Sequence, residues 1–269
     1  MTAVDARGAR RGARFGTAAW TRFTALAVLT LVLLAPLLTT FVRVLTPGPR
    51  GSVIGQLAGA FVYGPVLTWL GNSFLVTAAT VVVTVLVAAP AGYVLSRGRG
   101  RGVTAFALVI FGLQSLPIVL FLVPLFVLFA LIGLVDNLVG LGIIYVGMGI
   151  AVATWTMGAG FDAIPVDIEE AAWLDGCSVF RGFWRVVLPN ALPGVLSAAV
   201  FTFLLAWNDY WIALVFILSN GNYTMGIGLA ASYGSPVLSL IGLVPPLLVF
   251  LVLHRFFSLG GVSGSLAGT

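Results

Sequence analysis

Lysine is absent from this chain of 269 residues, which carries one cysteine, Cys177, and one histidine, His254. Without lysine the chain cannot carry a P-loop of the usual form, whose Lys reaches the β- and γ-phosphates. Schiff-base chemistry is excluded with it. One Cys and one His assemble neither a Cys/His zinc site nor an intrachain disulfide. A G-x-S-x-G element is also missing, so neither a catalytic residue nor a metal ligand is expected. Charge of either sign is scarce, at 8% of residues, too little to solvate a soluble domain of this length. Any pumping must draw on another subunit or an ion gradient.

What is abundant is apolar: 60% of the residues are hydrophobic. They gather in runs of about twenty or more, enough to cross a ~30 Å hydrocarbon core as helices. The runs do not alternate as barrel strands would. Six spans are expected, at 23–45, 70–96, 103–132, 138–160, 191–218 and 236–257. The third is long enough to tilt or break near Pro117 or Pro124. The first is too long for a signal-peptide core and is read as a retained span. The expected class is therefore all-α and polytopic: a 1–22 segment, a membrane domain over 23–257 and a 258–269 tail.

All thirteen basic residues are arginine, in short clusters between runs, which is a topology signal and not a nucleic-acid surface. With the N-terminus inside, Arg7, Arg10, Arg11, Arg14, Arg22, Arg97, Arg99, Arg101, Arg181, Arg185 and Arg255 fall on the cytoplasmic side. Only Arg43 and Arg50 fall outside. Both termini are expected to be cytoplasmic. The outer connections are then 46–69, with Pro47-Gly48-Pro49 and Gly51, then 133–137, and 219–235, with the turn-forming Asn220 to Thr224.

The inside loop 161–190 holds five of the eight acids: Asp162, Asp167, Glu169, Glu170 and Asp175. Pro165 suits a first helical turn and the acids after it suit a helix N-terminus. Gly176 supplies a left-handed stop, and Ser178 a cap for a second helix. There Phe180, Phe183, Trp184 and Val187 follow the spacing of one apolar face. Ala171 and Ala172 allow close approach of a partner. A hairpin lying on lipid headgroups is the competing reading, but an acidic cluster suits an anionic leaflet poorly.

Glu170-Ala171-Ala172, then Gly176, then Val186-Val187-Leu188-Pro189 resembles the EAA loop of ABC importer permeases. The run Glu169 to Ser178, with Asp175-Gly176, looks like the carbohydrate, maltose-type branch. Trp69-Leu70-Gly71-Asn72-Ser73 and Trp207-Asn208-Asp209-Tyr210 resemble further elements of these inner-membrane components. Gly260, Gly264 and Gly268 resemble the family's ending, with Ala267 where a lysine is usual.

The resemblance implies a type I importer permease fold in a bacterial inner membrane. It implies a second permease subunit, favouring a heterodimer, two cytoplasmic ATPase subunits that hold the ATP and Mg, and an extracytoplasmic solute-binding protein. Glu169, Glu170, Ala171, Ala172, Asp175, Gly176, Leu188 and Pro189 would couple to the ATPase. Asn72, Trp207, Asn208, Asp209 and Tyr210 are candidates for a sugar path, Asp209 because an acid within a span is a functional candidate by default. Trp207 and Tyr210 have an equal reading as interfacial anchors. His254 reads as a boundary residue. An ion-coupled carrier of a small polar solute is the alternative; it predicts midplane charges and paired broken helices, neither of which is evident.

Overall fold

The computed structural model describes residues 17–46, 52–62, 64–232 and 235–261, and among these the regular elements are all helical. They form two compact units that divide between Val53 and Ile54. The first contains α1 (Thr17–Leu45), an apolar helix with Pro36 inside it. Arg7, Arg10, Arg11, Arg14, Pro47 to Gly51, Gly264, Ala267 and Gly268 lie outside the described residues, as do the side chains of His254 and Arg255.

The boundary falls at the first residue of α2 (Val53–Val62), so the expected irregular 46–69 connection contains a helix. Then come α3 (Val66–Arg97), α4 (Arg101–Ser115), a 3-10 turn (Ile118–Phe121) and α5 (Leu122–Leu131). Next are α6 (Leu138–Asp162), α7 (Val166–Leu174), α8 (Val179–Gly182), a π turn (Phe183–Val187) and α9 (Leu188–Asn190). The chain closes with α10 (Leu192–Asn208), α11 (Trp211–Phe216), α12 (Met225–Ala231) and α13 (Pro236–Gly261). Among the described residues four helices (α1, α3, α6 and α13) are long and apolar enough to cross a membrane, and the number reaches six if each of two bent pairs is one span.

One bent pair is the expected third span, which turns by 84° between Ser115 and Ile118. Leu116, just before Pro117, holds extended backbone there (φ −85°, ψ 126°), the conformation that a following proline ring favours. The expected 191–218 span is not one helix. α10 ends at Asn208 because Asp209 adopts an extended conformation (φ −68°, ψ 134°), and a new helix starts at Trp211. The other bent pair joins 179–190 to α10 at 76°.

α3, α6 and α10 form the centre, with α13 against α10 and α12. Small residues let these backbones approach, the usual solution where lipid removes the hydrophobic drive between helices. A Cβ on Gly194 of α10 would lie 2.9 Å from the Gly160 Cα of α6, and one on Gly92 of α3 would lie 2.8 Å from the Thr154 carbonyl. Thr154 and Thr202 are buried and donate to the carbonyls of Ile150 and Ala198 in their own helices. Asn137 caps α6 by accepting the Val139 N–H at 2.8 Å.

Candidate functional site

The 161–190 segment folds as the expected hairpin. Pro165 precedes α7, and Asp167 and Glu169 sit in its first turn, where the helix dipole favours negative charge. At its end the Gly176 and Cys177 N–H groups donate to the carbonyls of Trp173 and Ala172. Gly176 takes φ +86°, a conformation that a side chain would strain. Ser178 then caps the second helix, its Oγ accepting the Arg181 N–H at 3.3 Å.

The two adjacent glutamates part company. Glu169 is 1% exposed and pairs with Arg97 at the end of α3, at 2.7 Å to one guanidinium nitrogen and 2.8 Å to Nε. Its other oxygen accepts the Tyr93 hydroxyl at 2.8 Å. Arg97 also donates to the Ile164 carbonyl at 2.8 Å and to the Ser96 Oγ at 3.1 Å, and Ser96 donates to Asp162 at the end of α6. Beneath this network the rings of Tyr93, Phe161 and Phe183 meet pairwise with centroids within 6 Å. A buried carboxylate needs such a partner, since desolvation without one is costly. Read from sequence, Arg97 was only a topology charge. The signal that could have found it was Tyr93 and Arg97 at i, i+4 spacing on the last turns of a span, beside an acidic loop.

Glu170 is exposed, together with Asp167, Ala171, Asp175 and Pro189, while Ala172, Cys177 and Leu188 are half-buried. The expected apolar stripe of the second helix divides. Phe183 and Val187 are buried, whereas Phe180 is 74% exposed and meets Trp184 edge-on at 6.2 Å on the outer face. At about 100° per residue Phe180 and Trp184 fall to one side of the stripe and Phe183 and Val187 to the other, and a π turn begins at Phe183, where the Leu188 N–H donates five residues back. Leu174 and Val179 are also exposed. The hairpin thus presents acids and large apolar side chains side by side, which suits a protein partner better than water or lipid headgroups.

The second group of expected residues does not form one surface. Asn72 donates to the carbonyls of Gly221 and Tyr223 at 2.8 and 3.0 Å. Beside it Trp69 donates to Asn220, and Ser73 accepts the Met225 N–H. Asp209 accepts the Tyr145 hydroxyl at 2.8 Å and the N–H groups of Ala213 (2.9 Å) and Ile212 (3.4 Å), capping α11. Trp207 is buried, stacks on Phe203 and donates to the Gly242 carbonyl. It lines, with Asn208, Tyr210, Met225, Ser239 and Pro246, an open cavity of about 620 Å³. Asn72 and Asp209 are therefore engaged by the fold, and Trp207, Asn208 and Tyr210 border a space.

A family described as "Binding-protein-dependent transport system inner membrane component" matches residues 81–261. A putative ABC transporter permease of Streptomyces antibioticus is 32% identical over 225 residues, covering 81% of this chain and 98% of that protein. The maltodextrin transport system permease of Bacillus subtilis is 31% identical over 207 residues, covering 75% and 74%. A chain in the crystal structure of a bacterial ABC transporter for alginate import has a TM-score of 0.75 at 19% identity, over 93% of this chain and 99% of that one; at that identity the likeness is one of fold.

Proposed function

This chain belongs to the binding-protein-dependent transport system inner membrane components, and on that premise we propose that it is the sugar-conducting permease of an ATP-driven importer, moved through its 161–190 hairpin. The permease role follows from the family and disfavours the ion-coupled carrier. The observation that carries the coupling role is the division of the two glutamates. Glu169 is held inside the chain by Arg97, leaving Glu170 exposed on a hairpin whose Leu174 and Phe180 are exposed as well. An exposed glutamate on a short capped helix can make a charge-assisted bond to an arginine of a partner.

In this reading the hairpin is cytoplasmic and both termini are inside, as the arginine distribution supports. Two ATPase subunits hold the nucleotide and magnesium, a second permease completes the pore, and a solute-binding protein delivers cargo from outside. The sugar class is supported by the maltodextrin relative and by Trp207 and Tyr210 among the residues lining the open cavity.

The test is reconstitution with the ATPase and binding protein. Glu170→Lys and Gly176→Asp are expected to insert normally and to lose uptake at least about tenfold, as truncating an interface anchor does. Wild-type uptake by either variant overturns the coupling role.

A further inference from the structure

We propose that Arg97 is a positioning residue that fastens the hairpin to α3, so that α3 carries the hairpin's displacement to the 220–225 segment at its other end. The inference rests on the coupling role proposed above.

Four observations meet on α3. At one end the Arg97 guanidinium joins three segments at once: Glu169 of α7, the Ile164 carbonyl in the link between α6 and α7, and Ser96, which itself bonds Asp162 of α6. A planar fork can do this, whereas a Lys ammonium acts as a single point charge. At the other end Trp69, Asn72 and Ser73 bond Asn220, Gly221, Tyr223 and Met225. Between them the helix runs unbroken through Pro90 from Val66 to Arg97. Trp69 and Arg97 are therefore separated by about 42 Å at 1.5 Å per residue. At Gly92 a Cβ would lie 2.9 Å from the Gly158 nitrogen, so α3 and α6 have little room to slide apart.

The remaining charges nearby do not replace Arg97. Arg99 is turned back onto the carbonyls of Ser96 and Gly98, and Asp162 is taken by Ser96. If Glu169 loses Arg97, the hairpin keeps its ring contacts and the Tyr93–Glu169 hydrogen bond, but no ion pair among the described residues ties α7 to α3. Rings packed on rings permit shear where a forked ion pair does not.

The native Cys177 lies in the hairpin turn and Gly221 is exposed with open space around its Cβ direction. Spin labels on Cys177 and on a Gly221→Cys variant, in the assembled complex, report the distance between the two ends. With Arg97 present that distance is expected to hold within about 2 Å, the scale of packed-helix shifts, between the nucleotide-free and vanadate-trapped states. With Arg97→Lys, or with the isosteric Glu169→Gln, it is expected to broaden and to differ between the states by more than this. Glu169→Gln keeps the side-chain volume and serves where Arg97→Lys fails to assemble.

Unchanged distances in both variants, or a state-dependent distance in the wild type, overturn the proposal. If Glu170→Lys uncouples uptake while these distances stay fixed, only the fastening role falls. If Glu170→Lys transports normally, the coupling role falls first.

Discussion

Asp136 accepts the backbone N–H of Ser219 at 2.9 Å, joining two loops 83 residues apart in the chain. The same carboxylate oxygen takes the Leu218 N–H and the Ser219 hydroxyl, and the Asn222 amide donates to the Asp136 carbonyl. Asp136 does this from a left-handed backbone, φ +56°, which Asp and Asn tolerate better than most residues. The Ser219 N–H is the main cause of a carboxyl held below the ordinary Asp range; partial burial opposes it, and Leu218, the Ser219 hydroxyl and Asn222 assist.

The sign of the pH effect follows. A carboxyl with a lowered folded-state pKa contributes stability that is complete above its unfolded value, about 4. That contribution is lost as pH falls through the lowered folded value. Thermal midpoints in detergent should therefore show no contribution from Asp136 to any change between pH 7 and 5. Below about pH 4 they should fall more steeply in the wild type than in Asp136→Asn. Equal acid limbs in the two proteins would show that the carboxylate does not hold these loops.

Glu169 and Glu170 should respond oppositely to truncation. Glu169→Ala leaves Arg97 without its ion pair, and breaking a buried pair costs roughly 3–5 kcal/mol. Because the Arg97 side chain keeps 17% exposure and can reach water, about 2–4 kcal/mol is expected. Glu170→Ala should stay within about 0.5 kcal/mol, as exposed substitutions do. Denaturation of the purified subunit in mild detergent reads both, and comparable losses would contradict the separation of the two side chains.

Trp69 lies flat against Gly228, so that a Cβ on Gly228 would fall inside van der Waals contact with the indole ring. Gly228→Ala is expected to destabilise by about 1–3 kcal/mol through overpacking. Trp69→Leu should cost stability alone, through the lost ring and the lost bond to Asn220, yet relieve the Gly228→Ala variant in a double-mutant cycle. Additive losses would place the two residues out of contact.

Much of the architecture was legible because the bilayer makes length and apolarity nearly sufficient. The spans containing Ser73, Ile144 and Leu248 needed only a run and its flanks. Pro165, Gly176 and Ser178 were legible for a different reason: each acts on the backbone within three residues of itself. What sequence missed is non-local. Arg97 meets Glu169 across 72 residues, and Tyr145 meets Asp209 across 64. Asp209 is a cargo-path candidate by sequence, and its spacing cannot reveal that it also ends one helix and caps the next. The π turn at 183–187 left no periodic trace, since one residue of excess is invisible in so short a helix.

The division of that short helix into an inner and an outer face has a consequence for how its surface can be changed. Were Phe180, Phe183, Trp184 and Val187 all turned inward, any change made to suit a docking protein would disturb the interior. Here Phe183 and Val187 answer to the membrane bundle, and Phe180 and Trp184 to whatever lies beyond it. Trp184 meets Phe183 at 5.2 Å and so links the two faces, which leaves Phe180 as the position where the outer surface can be retuned without loosening the interior.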